Sequence, residues 1–188
     1  MQTATGLAYD YANPSPEQIS LEDIAHHLAQ TNRWSGACNR PYSVAEHSVR
    51  VSRILEEWGH GELWCGAGLM HDAHEAYIWD CVRPLKPLIG EVYEQFTRKA
   101  DAAIAWKFWK NPGFALIFHD ESVKAADDVA LVAEGWELMV RPPTEWTNWK
   151  KRYQFVEPPP GNTMRWLGWD WENAKAEFLA RAEELNIG

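Results

Sequence analysis

Four residues offer metal-binding chemistry when taken together: His47, the adjacent pair His71-Asp72, and Asp127. A His-Asp dipeptide alone carries little information, because two common residues often meet by chance. Two imidazoles and two carboxylates, however, form a ligand set suited to one divalent cation, with positions left for water or substrate. Such an ion polarises a phosphoryl oxygen and lowers the pKa of water, which is what phosphate-ester hydrolysis requires. Two further acids lie close by. Glu75 falls at i+4 from His71 and i+3 from Asp72, one helical turn from both, and Asp80 follows. Glu75 is placed to orient or deprotonate an attacking water, or to protonate a leaving oxygen. Both acids are also candidates to support the ligands from behind. Position alone does not separate Glu75 from an ordinary solvated glutamate at a helix end.

Cations fit the same chemistry. Arg33, Lys86 and Lys124 each lie close in sequence to a ligand or to a loop leading to one. A phosphate or triphosphate needs such donors, and arginine binds two oxygens at once. Solvated surface charge is the usual alternative for these side chains. Trp34, beside Arg33, is the one tryptophan read as a base-stacking or sugar-walling group; its alternative is the core. A second His-Asp pair, His119-Asp120, directly precedes a helical pattern. There Asp120 makes sense as an N-cap near the positive end of the helix dipole, so this pair is set aside.

The elements that must position these residues are helical. Residues 1 to 16 read as an irregular arm broken by Asn13-Pro14-Ser15-Pro16. Ser20-Leu21-Glu22-Asp23 opens a helix, with Ser20 capping and Leu21, Ile24, Ala25 and Leu28 at helical spacing. His26 and His27 have no acid at ligand spacing and read as structural or surface histidines. After a polar connection from Thr31 to Pro41, Ser43-Val44-Ala45-Glu46 matches a capping box, which assigns Glu46 to the Ser43 amide. Val44, His47, Val51, Leu55 and Trp58 then share one face. A third helix starts near Glu62, with Leu63, Trp64, Ala67 and Met70 apolar, and places His71-Asp72 near its end. Arg83-Pro84-Leu85-Lys86-Pro87 reads as a stiff loop aiming two cations. Helices are expected over about Leu88 to Trp109, Glu121 to Met139 and Trp171 to Leu185. In the second of these Lys124 and Asp127 share a face and Asp128 points elsewhere. In the last, Ala174, Phe178, Leu179 and Ala182 face inward.

With 188 residues, 46% apolar and 24% charged, the sequence predicts one all-α domain spanning 1–188, with the arm in front and a Trp- and Pro-rich stretch before the final helix. A net charge of −9 argues against capture of polymeric nucleic acid or an anionic membrane surface. An anionic small molecule in a locally positive pocket is still compatible with it. Cys38, Cys65 and Cys81 fit neither a disulfide framework nor a CxxC site, which predicts free thiols in a reducing cytoplasm. No signal peptide or membrane-spanning run is evident. Of the twelve tryptophans, several crowd near the C-terminus (Trp146, Trp149, Trp166, Trp169 and Trp171), where packing is the expected role.

Taken as one pattern, Asn32-Arg33-Trp34, Tyr42-Ser43-Val44-Ala45-Glu46-His47-Ser48, His71-Asp72-Ala73-His74-Glu75-Ala76 and Val123-Lys124-Ala125-Ala126-Asp127 resemble the HD-domain 5'-deoxynucleotidases, the YfbR-like superfamily. The likeness runs from about Pro14 to Met139. The Ile-Ser-Leu-Glu-Asp-Ile-Ala-His start and the Pro-Leu-Lys loop are closest to its small phage and bacterial branch, which includes the bacteriophage dATP triphosphohydrolases. The resemblance implies an α-helical homo-oligomer (dimer or hexamer) that binds Zn, Co, Mn or Mg and hydrolyses a deoxynucleotide. It makes His47, His71, Asp72 and Asp127 the metal ligands, Glu75 the catalytic acid and Asp80 a further functional acid. It places Arg33 and Trp34 against phosphate and sugar or base, and Lys86 and Lys124 against phosphates. Two departures bear on base selectivity rather than metal binding. Trp34 stands where many relatives have Phe, and Ala37 follows Gly36 where many have His.

The expected reaction is therefore release of deoxynucleoside and triphosphate from dATP or another dNTP, the extra lysines favouring the triphosphate. The close alternative is release of phosphate from dNMPs. A two-iron oxygenase would need more histidines between Asp72 and Asp127, where only His74 and His119 stand. A non-catalytic nucleotide-binding protein is the non-enzyme alternative.

Overall fold

Apolar side chains at helical spacing, closed off by capping residues, account for most elements of the computed structural model, which describes residues 1–146 and 168–188. The order is α1 (Leu21–Gln30), α2 (Val44–Glu57), α3 (Glu62–Met70), α4 (Glu75–Ile78), α5 (Lys86–Ile89), α6 (Glu91–Trp109), α7 (Ala115–Phe118), α8 (Glu121–Leu138) and α9 (Trp171–Glu184). Among the described residues β structure is limited to two isolated bridges, Gln2 with Ala8 and Asn32 with Ser43. The chain is an all-α bundle. No helix among the described residues is long and apolar enough to cross a membrane.

Caps set the starts. Ser20, Ser43, Asp120 and Asp170 each accept a hydrogen bond from a backbone N–H of the following turn, an interaction worth about 1 kcal/mol per helix. The acids expected to reciprocate in the first two helices do other work. Asp23 is buried and accepts both the backbone N–H and the hydroxyl of Thr5, at 2.7 Å each, pinning the N-terminal arm to α1. Glu46 accepts from Arg50 at 2.6 Å and from the Trp169 backbone N–H at 3.1 Å, so it ties α2 to the segment that leads into α9.

The core joins α1, α2, α3, α6, α8 and α9 around Ile24, Leu28, Val51, Leu55, Leu69, Met70, Ile104 and Phe178. Each such apolar side chain contributes about 2 kcal/mol of transfer free energy. Helices α2 and α3 cross closely at Gly68, where an added Cβ would sit 2.5 Å from Leu55 Cδ1. That approach brings the end of α3 beside the middle of α2. At the far side Arg181 of α9 is 2% exposed and donates to Ser52 of α2 at 2.9 Å and to Glu56 at 3.0 Å.

Three boundaries differ from the sequence expectation. Trp58 lies past the end of α2 and is 47% exposed rather than on its inner face. The Arg83–Pro87 stretch is not all loop, because Lys86 opens the one-turn α5, where Pro87 occupies an early helical position that needs no N–H. The helix expected over 88–109 is broken at Gly90, whose φ of 70° only glycine adopts without strain. The three cysteines are free, with Cys65 and Cys81 buried. Trp149, Trp166 and most of the Trp- and Pro-rich stretch lie outside the described residues.

Candidate metal centre

Three helices deliver the four expected ligands to one place. His47 comes from α2, His71 from the C-cap of α3 with Asp72 next to it, and Asp127 from the second turn of α8. The rings of His47 and His71 lie 5.3 Å apart. His47 Nε2 is 3.3 Å from Asp127 Oδ1 and 3.8 Å from Asp72 Oδ2, while His71 Nε2 is 3.1 Å from Asp72 Oδ2. One ligand atom each from His47, His71 and Asp127 lie within 4.8 Å of one another.

The ring nitrogens divide cleanly into two kinds. The Nδ1 atoms face backwards onto acceptors, His47 to Glu134 Oε1 at 2.5 Å and His71 to the Gly68 carbonyl at 2.8 Å. In the neutral tautomer with Nδ1–H donating, each ring presents a bare Nε2 lone pair to the carboxylates, the form that binds a cation; protonated, the same rings pair with Asp72 and Asp127 and hold those acids charged. Both Nε2 atoms are buried, and although each lies within 3.3 Å of a carboxylate oxygen, neither makes a hydrogen bond of good geometry among the described residues. Leaving one such atom orphaned costs on the order of 1–3 kcal/mol, and a cation at this point removes that cost for both. The donor set fits a divalent ion of the kind that takes nitrogen and oxygen ligands.

Glu134 is the residue that sequence reasoning missed. It is fully buried and accepts from His47, from Tyr42 at 3.1 Å and from Arg33 Nε at 3.2 Å. Burial alone would raise its pKa, but Arg33 and His47 more than reverse this and hold it down at about 2. Two signals for it exist in the sequence. Glu134 stands seven residues after Asp127, two turns along the same face of α8, and it interrupts an otherwise apolar run, Ala130-Leu131-Val132-Ala133. An acid in such a run is rarely buried without a partner.

Arg33 is buried against three carboxylates, with Nη1 3.5 Å from Asp72 and Nη2 3.9 Å from Asp127 in addition to the Glu134 bond. Arg83, half exposed in the stiff loop, binds Asp127 Oδ2 at 2.6 Å and Asp128 at 2.9 Å. Asp72 is driven well below the usual carboxylate range despite its burial, because His71, His47 and Arg33 favour its charge. Asp127 is lowered likewise, with His47 and Arg83 overcoming its burial.

Glu75, at the start of α4, is not a solvated surface acid. It is 3% exposed, and its Oε2 has no partner among the described residues. Burial pushes its carboxyl well up, and Asp72 and Asp80 push it further against the pull of Lys86 and Arg33. Half-buried Asp80 is raised by burial and by Asp72, against Arg33 and Lys86. Lys86 is half-buried, with Nζ 5.8 Å from the centre of the Tyr93 ring. Lys124 sits one turn before Asp127 but is exposed and makes no ion pair or hydrogen bond in the cluster. Trp34 packs half-buried against Leu131, Val132 and Trp146, its ring 5.3 Å from that of Trp146. Trp34, Ser35 and Gly36 run in succession at φ 59°, 49° and 75°. Two non-glycine residues in the left-handed region store roughly 1–3 kcal/mol each, held in place by the buried Arg33 anchor. His119 and Asp120 lie apart from the centre. Asp120 caps α8, and His119 Nε2 contacts Asp101 Oδ2 at 2.8 Å.

Fold and site thus define a class, an all-α protein with a cluster of imidazoles and carboxylates suited to a metal ion. No protein-family model matches the chain. It is 36% identical to the uncharacterized protein RCAP_rcc00048 of Rhodobacter capsulatus over 138 residues, which cover 71% of this chain and 70% of that protein. It is 33% identical to the uncharacterized protein YfdR of Escherichia coli, with 73% and 71% covered. The chain belongs to the family of these two proteins.

Proposed function

We propose that this chain is an HD-domain, divalent-metal-dependent phosphohydrolase that cleaves a deoxynucleotide at its α-phosphoester bond, with a dNTP such as dATP as substrate. The observation that carries the reading is the pair of buried, unpartnered Nε2 atoms of His47 and His71, turned toward Asp72 and Asp127. A cation held by those four residues would supply Lewis acidity toward a phosphoryl oxygen and toward water.

The remaining chemistry belongs to the protein. Glu134 and the Gly68 carbonyl fix the two imidazoles in the tautomer that leaves Nε2 free. Arg33 and Lys86 supply positive charge close to the acids, available to a bound phosphate. In the reaction a water oxygen loses a proton to a carboxylate of the site as it forms a bond to the α-phosphorus, the bond from phosphorus to the 5' oxygen breaks, and that oxygen takes a proton. Glu75 and Asp80, whose carboxyls burial raises, would share this work, one accepting the water's proton and the other supplying the proton of the leaving oxygen. Trp34, next to Arg33 on its strained turn, would wall the sugar or stack on the base. The products are deoxynucleoside and triphosphate.

The exposure of Lys124 favours a second reading, 5'-deoxynucleotidase activity on dNMPs, since a monophosphate needs less positive charge beyond the centre. The test is turnover of a nucleotide panel by chelator-stripped protein with Zn, Co, Mn or Mg added back. Chromatography for triphosphate is run beside colorimetric detection of phosphate. Triphosphate from dNTPs is the expected result. Phosphate from dNMPs alone would replace it with the second reading, and no turnover with any metal would overturn both.

A further inference from the structure

Trp79 holds a backbone conformation that suits glycine and strains a tryptophan. It follows the last turn of α4 at φ 67° and ψ 161°, a region that residues with a Cβ avoid. Packing does not offset the strain, because the side chain is 60% exposed. Backbone bonding does not require the indole either. The Trp79 N–H donates to the Glu75 carbonyl at 3.0 Å, and the Trp79 carbonyl accepts from the Tyr93 hydroxyl at 3.4 Å, bonds that a glycine would keep. A large apolar ring is therefore held in solvent against a local preference. Strain of this kind concentrates where a chain binds ligands.

The position is the rim of the candidate centre. Trp79 stands between Glu75, whose carbonyl it meets, and Asp80, next in the chain. Its ring lies 6.2 Å from that of Tyr93, and Lys86 Nζ lies 5.8 Å from the centre of the same Tyr93 ring. Burial raises the Tyr93 hydroxyl first, and the charges of Glu75, Cys81, Asp72 and Asp80 raise it further, so this ring sits beside the acids. Trp34 differs, being half-buried with its ring against Trp146. A base one sugar away from a phosphate at the centre needs an open aromatic face, and Trp79 offers one.

We propose that Trp79 is a substrate-binding residue whose indole stacks on the nucleobase of the deoxynucleotide. This rests on the hydrolase reading given above and assigns it a contact at the base end of the substrate. The strain at Trp79 is what holds the ring out for that ligand.

The experiment titrates the full chain, in constant Mg2+, with each common deoxynucleoside and separately with inorganic tripolyphosphate, which has no base. Calorimetry reads affinity, and thermal melting and sedimentation are followed alongside. Trp79→Gly is expected to weaken the best-bound deoxynucleoside by about 10-fold and to leave tripolyphosphate within about twofold. Its melting temperature is expected to rise by about 2–4 °C as the strain is released. Trp79→Phe keeps a ring and the strain, and is expected to hold deoxynucleoside within about threefold of wild type. Unchanged deoxynucleoside affinity in Trp79→Gly overturns the proposal and leaves the hydrolase reading standing. An equal loss for deoxynucleoside and tripolyphosphate also overturns it, as does a change in sedimentation showing that Trp79 joins two copies of the chain. A wild type that binds neither probe overturns both the proposal and the hydrolase reading.

Discussion

The same dipeptide occurs twice in this chain and meets two different fates. His71-Asp72 follows the last turn of α3 and is folded inward, with the His71 Nδ1 on a carbonyl of its own helix and Nε2 aimed at carboxylates. His119-Asp120 precedes the first turn of α8. Its aspartate is consumed by the Ser122 amide and its histidine, half exposed, by Asp101. The contrast teaches that the residue pair matters less than the helix end it occupies. A helix start offers N–H groups that satisfy a carboxylate. A helix end offers carbonyls, which satisfy an imidazole N–H but leave a carboxylate seeking another cation.

The largest way to break this contrast is to remove each aspartate in turn. Asp72→Ala should abolish metal retention, measured by elemental analysis after gel filtration, and lower turnover by about three orders of magnitude, with helical circular dichroism kept. Activity like wild type in that variant would remove the centre assigned here. Glu134→Gln comes next. It keeps the shape but weakens the hold on His47 Nδ1, and calorimetry should show metal affinity reduced about 10- to 100-fold.

Acid should separate the two regions further. The Glu134 carboxyl is lowered from its ordinary 4.5 to about 2, so its charged form stabilises the fold fully above pH 4.5. That contribution, on the order of 3 kcal/mol, is lost as pH falls from about 4.5 through 2. Urea titrations across this window should show wild type losing stability more steeply than Glu134→Gln; parallel curves would contradict the linkage. Asp120→Ala should cost about 1 kcal/mol, the value of a cap, while metal content stays at the wild-type level. Smallest of all, Lys124→Ala should shift KM for a dNTP by less than about twofold, since the side chain is solvated. A tenfold rise would bring Lys124 back to the phosphates.

The cluster of His47, His71, Asp72 and Asp127 was legible in the sequence because a candidate metal site demands a narrow set of residue types, and the helices that carry them keep clear apolar periods. Glu134 was not, because an acid behind a ligand obeys no spacing rule of its own. Its function appears only once α8 is laid against α2. Glu46 shows the opposite failure, a local motif assigned a local partner. Its carboxylate instead reaches Trp169, 123 residues on, and such long-range partners compete with caps in ways that local sequence does not reveal. The break at Gly90 was readable from the glycine, but the long helical period across it concealed the change of direction. Glu75 needed burial to distinguish it from a surface acid, and burial is a property of the assembled bundle.

The docking of α9 on α1, α2 and α3, sealed by the buried Arg181, has a consequence for the order in which the protein matures. Synthesis delivers all four ligands and Glu134 well before α9, yet the back of α2, which carries His47, lacks its cover until α9 arrives. Contacts this distant along the chain form late and slowly. A nascent chain therefore holds the full set of candidate ligands on a helix not yet locked in place. If these residues hold an ion, its affinity should rise only once α9 has emerged and docked on α2.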